Sequence, residues 1–225
     1  MSKHLRVFLD ANVLAAPLTR TLLLPAARLS GYSFTWSQHA EEEATRHLRP
    51  SATPVATVRS RHLDRMPLAP TADVAARFSA TKGADRQILA DAEQSRVHFL
   101  VTNDVDDFAL EDLEDAQVTA VTADLFMSHQ VSPDAYRFGL DMIAGSQRNP
   151  PITVEDLHRR LAKNHPRLFA AQNHIYGLEP AATPHNLPSV EYRGFRCLRC
   201  ASISPAKLPN GAHLQCGDAP RTTGS

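Results

Sequence analysis

Acidic residues fall where a parallel sheet would gather them. Asp10 closes the apolar run at residues 5–9, and Asp104 follows the run at residues 97–102. Ligands of parallel α/β sheets sit outside the carboxyl ends of the strands, so both acids belong on one edge. Each alone also fits a helix N-cap or a turn. Asp85 is more telling, because Ile88, Leu89 and Ala92 follow it at helical spacing and place it on the stripe that faces the sheet. A carboxylate buried there without a partner is costly or shifts its pKa, which predicts a positive charge nearby. The simpler accounts are that Arg86 or Lys82 folds over to pair it, or that it only favours its helix N-terminus.

The triplet Glu41-Glu42-Glu43 offers a fourth acid. Glu42 aligns with Thr45, Arg46 and Arg49 on a polar face and reads as a solvated charge. Periodicity leaves the other two open: Glu41 lies beside Ala44 and Leu48, Glu43 beside Ala40 and His47. Carboxylates converging on one sheet edge repel one another unless a hard cation joins them. Mg²⁺ or Mn²⁺, which take oxygen ligands and are commonly shared with substrate phosphate, fit that need. Such an ion can activate water and stabilise charge on phosphate oxygens.

The elements that must hold these residues are legible from periodicity. A strand at 5–9 feeds a helix through Val13, Leu14, Leu18, Leu22 and Leu23; a second strand at 32–36 leads through a capping Ser37 into a helix at 38–48, stopped by Pro50 and Pro54. One or two shorter helices are expected in 55–79, the second starting near Thr71. A helix at 84–94, a strand at 97–101, a strand at 117–121 and a helix around Leu125 complete a parallel sheet covered on both faces, ending near residue 130. Helices at 134–145 and 154–163, the latter capped by Thr153, form an extension over 131–177, and 178–225 reads as a linker and a poorly structured tail apart from its cysteines.

Composition excludes the non-globular classes. Of 225 residues, 43% are hydrophobic, and nine glycines bring the apolar share into the ordinary globular range. The 24 basic and 24 acidic side chains cancel, so no overall charge advertises nucleic acid or membrane, and such a partner must be held by local patches. No run of about 20 apolar residues and no secretory pattern is present. A cytoplasmic protein without a membrane partner is expected, its body free of disulfides because its three cysteines crowd into the tail.

Residues 7–14 (VFLDANVL), the helix carrying Glu43, residues 82–90 (KGADRQILA) and residues 100–104 (LVTND) with Asp107-Phe108 resemble, in order and spacing, the PIN-domain ribonucleases, most closely the VapC-like toxins of toxin–antitoxin pairs. The resemblance covers residues 1–130. It implies a three-layer α/β/α domain with a parallel central sheet and hydrolysis of RNA phosphodiesters by an acid quartet, Asp10, Glu43, Asp85 and Asp104, holding Mg²⁺ or Mn²⁺. The family register, an acid before a helix ending five residues later at Leu, selects Glu43 over Glu41. Asn12 and Thr102 match polar positions that orient ligands or water, and Asp107 is a reserve ligand within an acidic run otherwise read as solvated surface. Residues 148–153 and 166–169 resemble a C-terminal module of longer VapC-like proteins. A small antitoxin partner and a homodimer are further implications.

RNA needs cations beside an anionic cluster. Arg46, Arg49, Arg59, Arg61, Arg65, Lys82 and Arg86 are the candidates, against the plainer reading of solvated helix faces. In the tail, Cys197-x-x-Cys200 and His213-x-x-Cys216 have the paired spacing of a structural Zn²⁺ site; the plain alternative is a reduced, disordered tail. Two rivals to the ribonuclease stand. A haloacid-dehalogenase-like phosphatase would use Asp10 as nucleophile, but expects Asp where Asn12 stands. A non-catalytic binding module would keep the acids only for folding or for a basic partner.

Overall fold

The computed structural model describes residues 4–62, 68–69, 71–147, 149–177 and 187–203. Its centre is the buried strand β1 (Leu5–Leu9), flanked by β2 (Tyr32–Thr35) on one side and β3 (Phe99–Val101) on the other, followed by β4 (Thr119–Val121) and β5 (Tyr192–Arg193). The first four strands run parallel and β5 is antiparallel to β4. Every residue of β3 and β4 is buried. That is why these strands read as continuous apolar runs rather than alternating ones.

The chain leaves β1 for β2 on one side and later returns to place β3 on the other. The order therefore reverses between β1 and β3, and a crevice opens at their carboxyl ends. Register puts Leu9 opposite Val101, and the Asp10 amide donates to the Val101 carbonyl at 3.0 Å.

One expected helix after β1 is two. The short α1 (Ala11–Leu14) stops and α2 (Pro17–Ser30) begins afresh, because Pro17 lacks an amide hydrogen and drives Ala16 into an extended conformation. The strand expected at 97–101 pairs only from Phe99, since Arg6 donates its amide to the His98 ring rather than to a strand carbonyl. Helix α3 (Gln38–His47) carries the expected Ser37 cap, whose hydroxyl accepts from the Ala40 amide at 3.2 Å. Next come α4 (Val55–His62), a short 3-10 turn at Ala75–Arg77 where a second helix was expected, α5 (Asp85–Gln94), α6 (Leu110–Asp115) and α7 (Ala123–Gln130).

The extension is bolted to the sheet domain. It comprises α8 (Pro133–Ser146), α9 (Val154–Asn164) and α10 (Pro166–Gln172), with α8 packed on α2 and α10 on α7. Buried Asp124 of α7 caps α10, accepting from the Arg167 and Leu168 amides at 2.8 and 2.9 Å. His158 is fully buried, sharing hydrogen bonds with the Tyr136 hydroxyl at 2.7 Å and Asn173 Oδ1 at 2.9 Å.

The expectation of a structureless tail is corrected for residues 187–203. Glu191 is buried, pairs with Arg167 at 2.7 Å, and offers its carbonyl to the Thr122 amide at 2.8 Å; β5 then adds to the sheet. Gly194 makes this possible. A Cβ there would lie 2.6 Å from Thr119 Oγ1, and its φ of +144° disfavours any side chain. Sequence patterning misses this strand because two residues carry no periodicity.

Candidate active site

Four carboxylates from four separate elements line one cavity of about 400 Å³: Asp10 after β1, Glu43 on α3, Asp85 opening α5 and Asp104 after β3. Asn12, Ala11, Ala15, Ala16 and His47 complete its wall.

Asp10 is the fixed point. It is buried, and both its oxygens are held: Oδ1 accepts from the Ala11 amide at 2.6 Å, and Oδ2 accepts from the Thr102 hydroxyl at 2.7 Å and Asn12 Nδ2 at 3.0 Å. Asn12 Nδ2 also reaches Asp104 Oδ2 at 2.9 Å, while Asn12 Oδ1 accepts from the Asn103 amide at 3.1 Å. Thr102 Oγ1 in turn accepts from the Asp104 amide at 3.1 Å. Asn12 and Thr102 thus lock the loop after β3 to the start of α1. Thr102→Val keeps the volume and removes these bonds; a loss of about 1–3 kcal/mol by denaturant titration is expected, because Asp10 Oδ2 is left short of a donor.

Electrostatics follow from burial and crowding. Burial lifts the Asp10 carboxyl to about 7, against the hydrogen bonds from Thr102 and Ala11 that favour its charged form, and Asp85 and Glu43 raise it further. Asp85 rises to about 6, through burial first and then the neighbouring Asp107, Glu43 and Asp104. Among the described residues, the positive partner expected beside Asp85 is absent. Arg86 turns to the Thr81 and Ser79 carbonyls at 2.6 and 3.1 Å, and among the described residues no cation pairs with Asp10, Asp85 or Asp104. What surrounds Asp85 is more negative charge.

The structure separates the two glutamates that periodicity left open. Glu41 is buried and its Oε2 accepts from Trp36 Nε1 at 2.9 Å and Arg59 Nε at 2.8 Å. Glu43 faces the cavity, with only His39 Nε2 near it at 3.9 Å. Glu41→Ala strands a buried indole donor and a guanidinium, so a loss of about 2–4 kcal/mol is expected in denaturant unfolding, whereas Glu43→Gln stays within about 0.5 kcal/mol of wild type.

The cation candidates divide. Arg59 is engaged by Glu41 and Arg86 by the loop before α5; Arg46, Arg61 and Lys82 are exposed, and Arg65 lies outside the described residues. Arg49 lines a second cavity of about 550 Å³, with Lys163, Asn103, Asn164 and His165. This groove shares Ala15 and Ala16 with the acidic cavity, so the two adjoin at the break between α1 and α2. Its two cations come from α3's C-terminal flank and from α9 of the extension. His47 and Lys163 are the site-lining residues that sequence reasoning missed. His47 stands one helical turn from Glu43 and was findable; Lys163 had no local signal.

Comparison with known protein families, curated proteins and solved structures finds no match to this chain. No described helix is long and apolar enough to cross a membrane.

Proposed function

We propose that this protein is a Mg²⁺- or Mn²⁺-dependent endoribonuclease of PIN-like three-layer architecture. The single observation that carries the reading is that Asp10, Glu43, Asp85 and Asp104 line one cavity at the sheet's switch point. The donors are all carboxylate oxygens, and burial first, then their mutual repulsion, raises the Asp10 and Asp85 pKa values, which suits a hard divalent cation. Asp10, Asp85 and Asp104 would hold the ion and Glu43 would complete the set. When bound, the ion supplies charge for phosphate oxygens and activation of water.

The chain's own residues do the rest. Thr102 and Asn12 hold the Asp10 carboxylate in one orientation, as supporting residues do at preorganised sites. The adjoining groove gives Arg49 and Lys163 a place on a neighbouring phosphate of the same strand, which favours a polynucleotide over a mononucleotide. The double variant Arg49→Ala/Lys163→Ala is expected to raise KM for RNA about tenfold and to flatten the salt dependence of binding, with kcat little changed. A salt slope equal to wild type would remove the groove from the binding path.

The phosphatase alternative gains nothing from the geometry, since both Asp10 oxygens already accept hydrogen bonds inside the fold. The toxin role, an antitoxin partner and a homodimer rest on the motif resemblance. A growth assay with and without the neighbouring gene tests the toxin role. The test of the activity is cleavage of RNA by wild type and Asp10→Asn with Mg²⁺ or Mn²⁺ and with chelator. Cleavage only by wild type with metal is expected; equal cleavage in every lane, or none on any RNA, overturns the proposal and favours a binding module.

A further inference from the structure

Of the four tail residues with Zn²⁺ spacing, Cys197 is buried and Cys200 exposed on the turn after β5, while His213 and Cys216 lie outside the described residues. A fuller set of polar groups converges at the start of α2. Pro17 opens that helix after Ala16, whose methyl cannot cap it. The first backbone bond of the helix is made by the Arg20 amide, to the Ala16 carbonyl at 3.0 Å, and among the described residues the Leu18 and Thr19 amides have no partner. Two free N–H groups therefore stand at the positive end of a helix of 14 residues.

Those residues line the groove of about 550 Å³ that also holds Arg49 and Lys163. Among the described residues no carboxylate pairs with either cation, nor with Arg20, a buried guanidinium that rests on the Leu14 and Thr53 carbonyls. His165 completes the set from the extension. It is 5% exposed, lines the same groove, and aims its ring at the first turn of α2, with Nε2 3.0 Å from Thr19 Oγ1. Its Nδ1 has no partner among the described residues, and burial keeps the ring neutral by lowering its pKa to about 4. The fold does not account for an unsatisfied buried nitrogen beside a cationic groove; an oxygen-rich ligand does.

We propose that this groove seats a terminal phosphate of RNA, bound by the Leu18 and Thr19 amides with Arg49 and Lys163, so that the strand is cut near its phosphorylated end. The identity of the strand rests on the ribonuclease reading; the phosphate does not. Charge favours an end over an internal linkage. A phosphate monoester carries about −1.5 to −2 at neutral pH, and Arg49, Lys163, Arg20 and the helix dipole together exceed what the single charge of a diester balances. Distance agrees. Ala15 and Ala16 line both this groove and the acidic cavity, and the chain from Ala15 to Leu18 spans at most about 11 Å, which keeps the end phosphate close to the scissile one.

The test is binding without cleavage, by fluorescence anisotropy of short oligoribonucleotides bearing a 5′-phosphate, a 3′-phosphate or hydroxyls at both ends, in the presence of chelator. One of the phosphorylated strands should bind about tenfold more tightly than the hydroxyl-ended strand, and inorganic phosphate should erase that advantage by competition. Lys163→Ala, at an exposed position, should shrink it to about twofold or less. Leu18→Pro, with its fold checked by circular dichroism, should do the same while keeping every side-chain charge, because a helix accepts proline in its first turn and only the amide is lost. Arg137→Ala, an exposed cation of α8 outside the groove, should leave the advantage intact. An advantage that survives Lys163→Ala, or equal affinity for all three strands, overturns the proposal; binding of inorganic phosphate without any preference among the strands makes the groove a site for the free ion and overturns it too. The two readings fail separately: a phosphate preference in a chain that cleaves no RNA keeps the seat and removes the ribonuclease, whereas cleavage without the preference removes the seat alone.

Discussion

Asp85→Asn is expected to abolish divalent-dependent RNA cleavage, by at least about 100-fold in kcat/KM, while making the metal-free protein more stable. The side chain has the chemistry for both effects. It is half-buried, it faces Asp107, Glu43 and Asp104, and no described cation pairs with it. Its carboxylate is therefore a liability in the empty fold. Discounted for its partial exposure, relief of that repulsion is worth about 1 kcal/mol, or about 2–4 °C in Tm for a chain of this size. An amide oxygen cannot replace the lost charge on a cation. Melting curves and cleavage assays of one preparation decide the matter: a variant that is both less stable and inactive would mean that Asp85 serves the fold, not the ion.

The second large effect is a divalent stabilisation that switches on with pH. Asp10 titrates near 7 and Asp85 near 6 in the folded chain, above their ordinary value of 3.8. A raised native pKa means that the folded state holds extra protons, so the stability contributed by the neutral forms is complete below pH 3.8 and is lost as pH rises through about 6 and about 7. For Asp10 that gap corresponds to on the order of 4 kcal/mol at full ionisation. Asp124, lifted to about 6 chiefly by burial, acts in the same direction. Half-buried His129 and buried His158 and His165 act oppositely: their pKa values are lowered chiefly by desolvation, so their contribution is present above the ordinary 6.5 and lost as pH falls. The metal-free profile is thus a sum of opposing slopes, and the difference made by Mg²⁺ is the informative quantity. Protons and the cation compete for Asp10 and Asp85, so the Mg²⁺-induced rise in Tm should be close to zero at pH 5 and largest at pH 8. An equal shift at both pH values would mean that the ion binds elsewhere.

Much of the sheet domain is written locally. The buried strands announce themselves as apolar runs, and Ser37, Thr153 and the opening of α5 mark helix starts within a residue or two. The break at Pro17 was readable but was overridden by the helical spacing of the leucines around it. Asp85 could be singled out because an acid on an apolar helix stripe violates the local pattern; Asp10 and Asp104, each of which also fits a cap or a turn, stood out because a parallel sheet gathers its ligands at strand ends. Glu41 and Glu43 could not be told apart without coordinates. Their separation depends on Trp36 and Arg59, whose side chains reach Glu41 from the chain before α3 and from α4.

Sequence alone determined which residues carry unusual chemistry and which elements they stand on, because helix and strand periods are local properties. The tertiary structure decided what those residues meet. It showed that Asp85 faces acids where a cation was expected, that Thr102 grips Asp10 across a separation of 92 positions, and that β5 returns from the tail to join the sheet. Long-range proximity is set by the packing of whole elements, and no window along the chain contains it.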